Sequence, residues 1–240
     1  MLECGYTSVG EFHYVHHQSG GQHYENIAET SCLIINAARK TGIGLTHLPV
    51  FYMQGGLNDK KLAEGQLRFG NDLEQYLRIL DQTQDSLRNA PEDYLLGMAP
   101  HSLRAVSPES LKEILEARSS GTVHIHIAEQ LKEVEEIQTH FGARPVEWLL
   151  ENVVVDSRWC LIHATHMTQE ETQNLAKSGA VVGLCPITEA NLGDGVFDGT
   201  ELLLSGGKYG IGSDSNVRIS LTEELRLMEY SQRLVRKERN

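Results

Sequence analysis

The sequence lacks the features of a membrane-spanning, nucleic-acid-binding or disulfide-stabilised protein. No apolar run reaches the roughly 18 residues that a membrane-spanning helix needs. Its 21 Lys and Arg residues are outnumbered by 33 Asp and Glu residues, a net charge of -12, so neither nucleic acid nor a membrane is an expected partner. No CxxC pair occurs among its cysteines, which are Cys4, Cys32, Cys160 and Cys185. Free thiols and a cytoplasmic location are therefore expected.

A Gly-rich phosphate loop near the start of the chain is also missing, which argues against an open dinucleotide-binding sheet. Short apolar runs instead alternate with amphipathic helical segments, as in parallel α/β proteins. Three helix starts are predicted, at Ser107-Pro108, at Thr168 and at Ser220. The predicted strands are Tyr6–Phe12, Gly44–Phe51, Tyr94–Ala99, Thr122–Ala128, Cys160–Ala164, Ala180–Cys185 and Tyr209–Ser213.

Polar side chains stand at the carboxyl end of strand after strand, which is typical of the active face of a (β/α)8 TIM-type barrel. These residues are Glu11, His13, His47, His101, His126, Glu129, His163, His166, Glu189, Asn191 and Asp214. Seven strands are counted where such a barrel has eight. We therefore predict that residues 1–240 form a partial barrel domain, strands two to eight, and that one strand precedes Met1 in a longer protein.

Three of these strand ends carry groups suited to metal-assisted hydrolysis. His126 and Glu129 could supply a metal ligand and a proton carrier, although a packed histidine and a helix-start glutamate would look the same. His163 could polarise water or substrate, or be a buried hydrogen-bonded histidine. Asp214 could bind a metal and accept a proton, or cap a turn. Together, the three predict one metal site, for which zinc is favoured and iron or manganese stays open.

Two other segments could contact a substrate. Arg104 could form a bidentate pair with a carboxylate, and His101 could hydrogen-bond the same molecule, although a lone arginine more often makes a surface salt bridge. Tyr14 could donate its hydroxyl to a carboxylate, while the histidines around it could line the site or stabilise a loop. The segment at Cys185–Leu192 is predicted to be a strand-to-loop exit whose Glu189 and Asn191 shape a pocket.

Several motifs resemble the amidohydrolase superfamily, and within it the formimidoylglutamate deiminases. Strands five, six and eight of the superfamily resemble HIHIAE (124–129), LIHATH (161–166) and GIGSDSN (210–216). Four further segments narrow this resemblance to the formimidoylglutamate deiminases. They are GYTSVGEFHYVHH (5–17), THLPVFYMQGG (46–56), APHSLRAV (99–106) and LCPITEANLGDG (184–195). The resemblance covers essentially the whole chain. It implies hydrolysis of N-formimidoyl-L-glutamate to N-formyl-L-glutamate and ammonia in histidine degradation.

The resemblance also implies residue roles. His126 and Asp214 would bind zinc, Asp214 would take the proton of the attacking water, and His163 would assist that water or hold the substrate. Glu129 would carry a proton to the departing nitrogen. The substrate's glutamate part would bind Tyr14, His101 and Arg104. Two further zinc-binding histidines belong to the family's first strand, which this chain lacks, as it lacks the family's terminal β-sandwich. A homodimer is a further expectation.

Two other functions stay open at this point. One is a different amidohydrolase deaminase, acting on guanine, cytosine or a similar cyclic amidine, which would share the zinc residues. The other is a catalytically inactive fragment or a binding protein that keeps the barrel residues for packing. Ammonia release from formimidoylglutamate, compared with release from nucleobases, separates these possibilities.

Overall fold

The computed structural model describes residues 1–239, and these divide into two compact units. One unit is Thr7–His124, and the other combines Met1–Tyr6 with Ile125–Asn240. Each unit contains parallel strands and the helices that connect them, so the predicted α/β class is confirmed. That residues 1–240 form a single partial barrel domain without a terminal β-sandwich stays a prediction.

The Thr7–His124 unit is built around β2, which lies between β1 on one side and β3 and β4 on the other. All pairings are parallel, with Ser8 opposite Gly44, Leu45 opposite Tyr94, and Val50 opposite Ala99. Nearly every side chain of β2 is buried, which fits a sequence that is apolar except at Thr46 and His47. The elements are β1 (Ser8–His13), α1 (Glu29–Thr41), β2 (Gly44–Phe51), α2 (Leu73–Leu87), β3 (Tyr94–Leu96), β4 (Ala99–Pro100) and α3 (Pro108–Ala117).

Helix α2 shows how the local sequence sets the packing in this unit. Asp72 accepts the N–H of Gln75 at its start, a capping box that satisfies backbone groups left free by the helix. Its buried residues recur at helical spacing, at Tyr76, Ile79, Leu80, Thr83 and Leu87. Among them, Tyr76 donates its hydroxyl to the carbonyl of Pro49 at 3.0 Å and stacks on Phe51. The helix is thereby fixed to the carboxyl half of β2.

In the other unit the strands run in the order β5-β6-β7-β8, and the boundary between the units falls inside β5. The pairs β6–β7 and β7–β8 are parallel. Three helices here were not predicted, namely α5, α7 and α8. The elements are β5 (Val123–Ile127), α4 (Leu131–Phe141), α5 (Pro145–Asn152), β6 (Trp159–His163), α6 (Gln169–Ser178), β7 (Val181–Leu184), α7 (Pro186–Leu192), α8 (Gly199–Leu204), β8 (Lys208–Ile211) and α9 (Leu221–Arg236).

The predicted helix starts can be compared with these elements one by one. Ser107 caps α3 and Thr168 caps α6, each through a side-chain hydrogen bond to a backbone N–H, as predicted. Helix α9 does begin after Ser220, but the predicted capping box is wrong because the Ser220 side chain makes no capping bond. Its hydroxyl instead lies 3.4 Å from that of Thr222.

The two expectations about membranes and thiols can also be checked. None of the helices within residues 1–239 has both the length and the apolar character needed to cross a bilayer. All four cysteines are free thiols, as the sequence predicts, and Cys185 is the buried one among them.

Candidate active site

Three residues at strand ends come together as the sequence predicts. His126 belongs to β5, His163 ends β6, and Asp214 follows β8; each offers a ligand atom, and these atoms all lie within 4.8 Å of one another. Within residues 1–239 this is the only trio of histidine, cysteine or carboxylate side chains so placed. Two imidazoles and a carboxylate are a donor set that suits zinc. His163, predicted to assist water, therefore also lies where a metal ligand would.

The backbone at these strand ends adopts conformations that non-glycine residues avoid. Positive φ angles occur at Ala128 (50°), His163 (66°), Ala164 (47°) and Asp214 (42°). Left-handed conformations of this kind cost of the order of 1–3 kcal/mol each for most residues and concentrate at functional sites. These left-handed residues lie just after β5, at and just after the end of β6, and shortly after β8.

His163 is buried between two carboxylates. Its Nδ1 lies 3.2 Å from Oε1 of Glu189, and its Nε2 lies 3.6 Å from Oε1 of Glu129. Burial by itself lowers the pKa of His163, but the hydrogen bond to Glu189 and the nearby charges of Glu129 and Asp214 outweigh it, so the pKa is raised overall. The imidazole is therefore suited to holding a proton while it contacts acidic groups.

Glu129 is a half-buried carboxyl at the end of the same strand as His126. Burial raises its pKa, and the neighbouring acids Asp194, Glu133 and Asp214 add to this, while His163 opposes it. An upward shift of the pKa is the direction that suits a carboxyl acting as a proton carrier. The electrostatics are thus compatible with the role predicted for Glu129.

Glu133, which the sequence analysis did not single out, holds the turn that presents Glu129. It is buried in the first turn of α4, where its two oxygens accept the backbone N–H groups of Ala128 and Glu129 at 3.1 and 3.0 Å. These bonds fix the left-handed turn at Ala128. Its place four residues after Glu129, at the start of a helix, was the sequence signal for such a bond.

The segment predicted as a strand-to-loop exit is the short helix α7 instead. This helix contacts His163 and the turn that contains Asp214. Pro186 fits its first position because that position needs no N–H donor. Thr188 is buried, with its hydroxyl 3.0 Å from that of Ser215, next to Asp214. Glu189 contacts His163, whereas Asn191 is exposed. The prediction of a loop was wrong because proline at a strand end signals a helix start equally well.

The predicted substrate-binding residues come together within the Thr7–His124 unit. The ring of His101 packs edge-on to Tyr14, with centroids 5.6 Å apart, and lies 4.5 Å from the ring of Tyr52. Burial, with a smaller contribution from the charge of nearby Arg104, lowers the pKa of His101 to about 3. A neutral imidazole, a phenol and a guanidinium could together bind a carboxylate. Tyr52, which also contacts Gln66, was not foreseen in this cluster.

The histidines around Tyr14 stabilise a loop, one of the two roles that the sequence left open. His16 Nε2 lies 2.9 Å from the carbonyl of Val50, and His17 Nε2 lies 2.7 Å from that of Gly70, so each ring donates to a backbone oxygen. Backbone N–H groups of both histidines donate in turn to the carbonyl of Arg68. The long polar segment before α2 is thereby anchored.

Comparison with known proteins adds a family to this geometry. The profile of the amidohydrolase family matches residues 1–240. The chain is 52% identical over 241 residues to formimidoylglutamate deiminase of Pseudomonas aeruginosa, which covers 100% of the chain and 53% of that protein. It is 37% identical over 142 residues to 5-methylthioadenosine/S-adenosylhomocysteine deaminase 2 of Archaeoglobus fulgidus, covering 57% of the chain and 34% of that protein. The chain thus spans about half the length of the deiminase that it matches.

Solved structures give the same result for the fold. An amidohydrolase from Brucella melitensis superposes with a TM-score of 0.97 at 53% identity, over 100% of this chain and 53% of that one. Guanine deaminase from C. acetobutylicum superposes with a TM-score of 0.80 at 16% identity, covering 98% of this chain and 53% of that one, a likeness of fold alone. The predicted fold class, α/β of the amidohydrolase kind, is therefore confirmed.

Proposed function

Because the chain belongs to the amidohydrolase family, we propose that the protein containing it hydrolyses N-formimidoyl-L-glutamate to N-formyl-L-glutamate and ammonia. The observation that carries this proposal is the 52% identity, over the whole chain, to the Pseudomonas aeruginosa formimidoylglutamate deiminase. The His126, His163 and Asp214 cluster supports it, since hydrolytic deamination needs an activated water.

In the proposed reaction, water adds to the formimidoyl carbon and ammonia leaves, so two protons must move. Asp214 accepts one proton from the attacking water and returns it to the departing nitrogen as the adduct breaks down, while His163 stabilises the charge that develops beside Asp214. The second proton comes from Glu129, which regains it from the hydroxyl group of the adduct. Glu129 delivers a proton to the departing nitrogen, a transfer for which its raised pKa is suited. The amidine is a poor electrophile until its nitrogen is protonated, so this transfer lowers the barrier to attack as well as to ammonia loss.

Zinc is the metal that we propose for this site, held by His126 and Asp214 with His163 beside them. A divalent ion there would supply Lewis-acid chemistry and make water a stronger nucleophile near neutral pH. The experiment is metal analysis of the complete gene product that contains these residues. We expect about one zinc per chain, lost in Asp214→Ala and retained in Asp194→Ala, a neighbouring carboxylate outside the trio. Equal metal content in both variants would remove Asp214 from the ligand set.

The substrate has two carboxylates, and we propose that Arg104, His101 and Tyr14 bind the glutamate part. The ring contact between Tyr14 and His101, and the charge of Arg104 acting on His101, support this, because a cation and a hydroxyl group near a neutral imidazole offer several donors to one anion. A small dicarboxylate is accordingly the proposed partner, in a cytoplasmic step of histidine degradation. Homodimer formation stays a prediction, for which sedimentation of the gene product is the measurement.

The test of function is ammonia release by the complete gene product from a panel of amidines. We expect turnover of N-formimidoyl-L-glutamate and at least 100-fold lower kcat/KM with guanine, cytosine and 5-methylthioadenosine, on the order of the discrimination that unpaired polar groups in a site produce. Preference for a nucleobase or nucleoside would instead identify a cyclic-amidine deaminase. No ammonia from any of them, in a metal-loaded protein, would favour an inactive protein.

A further inference from the structure

We infer that Glu189 is a positioning residue that fixes the tautomer and the ring orientation of His163. The inference deepens the proposed function and rests on it for its catalytic consequence. It rests on the contact between Glu189, in the first turn of α7, and His163, at the end of β6. The two residues are 26 positions apart, and no sequence motif predicts their contact.

The geometry assigns one role to each atom of this contact. Glu189 is buried, with 4% of its surface exposed, and its Oε1 accepts the backbone N–H of Cys185 at 2.9 Å. The same oxygen lies 3.2 Å from Nδ1 of His163. A carboxylate can only accept, so Nδ1 must carry the hydrogen. In the neutral imidazole the lone pair is then on Nε2, the nitrogen that faces Glu129.

Helix α7, which carries Glu189, also contacts the turn that contains Asp214. Thr188, the neighbour of Glu189, contacts Ser215 at 3.0 Å and the carbonyl of Ser213 at 3.5 Å, on the turn that contains Asp214. One turn of α7 therefore holds both His163 and the segment of Asp214. Because His163 and Asp214 both adopt costly left-handed backbone conformations, contacts that stabilise them preserve their convergence.

Replacing Glu189 with glutamine tests whether the side chain matters because of its size or because its carboxylate can only accept hydrogen bonds. In Glu189→Gln the side chain keeps its size, but the amide can also turn its NH2 group toward Nδ1, which permits the other tautomer of His163. Replacing residues that orient a reactive or metal-bound histidine costs about 10- to 100-fold in activity or metal affinity. We expect a loss of this size in kcat, with KM changed less than about twofold because substrate contacts are kept.

Two readouts test the inference in the complete gene product. The first is the long-range ¹H–¹⁵N correlation spectrum of histidine-labelled, metal-free protein at alkaline pH, with the His163 signals assigned by their loss in His163→Gln. We expect Nδ1 protonated in the wild type and a mixed or reversed pattern in Glu189→Gln. The second is the kcat and KM of both proteins. The matched control is Glu171→Gln, another buried carboxylate of the same unit, which pairs with Arg144 instead.

Each outcome decides the question. A protonated Nδ1 that is lost in Glu189→Gln but kept in Glu171→Gln, together with a lowered kcat, supports the positioning role. An unprotonated Nδ1 in the wild type overturns it, and this spectrum needs neither the variant to fold nor the enzyme to turn over. An unchanged tautomer and kcat in a folded Glu189→Gln overturns it as well. If the spectra agree with the inference but the wild type releases no ammonia, the proposed substrate fails and the positioning stands.

Discussion

Acidification should destabilise the protein well above the pH at which carboxylates titrate, because three neutral histidines are buried in the Thr7–His124 unit. His13, His16 and His47 have at most 6% of their surface exposed. Burial, with a smaller contribution from neighbouring histidines, lowers the pKa of each to about 3. Around them, Thr30 hydrogen-bonds His13 and the carbonyl of Val50 accepts from His16.

The sign of the effect follows from where protons bind. The unfolded chain takes up protons on these histidines below about pH 6.5, whereas the folded protein does so only near about pH 3. Stability is therefore lost progressively as the pH falls between these values. At about pH 5, which is about 1.5 pH units below the pKa of an unfolded histidine, each buried histidine lowers the free energy of unfolding by about 2 kcal/mol, since one pH unit corresponds to about 1.36 kcal/mol. The three together lower it by about 6 kcal/mol.

Carboxyl groups whose pKa is raised in the folded protein have the opposite effect, because they increase the free energy of unfolding as the pH falls. Burial raises the pKa of Glu224 to about 7, so the folded protein binds this proton before the unfolded chain does and gains about 2 kcal/mol by about pH 5. Burial also raises the pKa of Glu11, on β1 itself. For these three histidines and Glu224 alone, the loss between about pH 7 and about pH 5 is about 4 kcal/mol, a large part of the 5–15 kcal/mol that stabilises an ordinary protein. His101 and His124, whose pKa values burial lowers to about 3 and about 4, add to this loss.

The assay is guanidinium unfolding followed by circular dichroism at the two pH values. His47→Leu, which puts an apolar side chain of similar size at this position, should reduce the pH-dependent loss by about 2 kcal/mol, the contribution of one buried histidine. The control is His140→Gln, at an exposed position in the last turn of α4. Equal unfolding midpoints at the two pH values, or an unchanged loss in His47→Leu, would refute the reasoning.

Three further substitutions test separate parts of the account. Arg104→Ala should raise KM by roughly 10- to 150-fold, from about 1.5–3 kcal/mol of lost charged hydrogen bonding, while the exposed Arg88→Ala leaves KM unchanged; equal KM values would exclude Arg104 from the site. Glu133→Gln should lower kcat and cost about 1–3 kcal/mol in chemical unfolding, because one amide oxygen cannot serve both N–H groups of the turn before Glu129. Ser107→Ala should cost about 1 kcal/mol of thermal stability through the lost cap of α3, with kcat/KM unchanged.

The strands were predictable because buried parallel strands need continuous apolar runs, which leave a clear signal in sequence. All seven predicted strands correspond to strands in residues 1–239, with β3 and β4 together forming the one predicted at Tyr94–Ala99. The polar residues at the carboxyl ends of the strands were predictable as well, because each of them stands where an apolar run ends. The convergence of His126, His163 and Asp214 follows from strand ends alone.

The support behind the site was not predictable in the same way. Helix α7 has seven residues, too few for an amphipathic period to be visible, and its proline is as compatible with a loop as with a helix start. The contact of Glu189 with His163 joins helix α7 to strand β6 across 26 residues of sequence, so no local pattern contains it. The left-handed turns at His163 and Asp214 were also hidden. Histidine and aspartate adopt this conformation more often than most non-glycine residues, but only a small fraction of them do so, and residue type therefore does not mark the turn.

The most direct test of the central claim is the identity of the products formed from N-formimidoyl-L-glutamate by the complete gene product in ¹⁸O-labelled water, analysed by mass spectrometry. Water adds to the formimidoyl carbon, and the C–N bond to the terminal nitrogen then breaks. We predict ammonia and N-formyl-L-glutamate in equal amounts, with one ¹⁸O atom in the formyl group. Formamide and free L-glutamate would mean that the other C–N bond breaks, and would contradict the account, as would the absence of any product from a zinc-loaded protein.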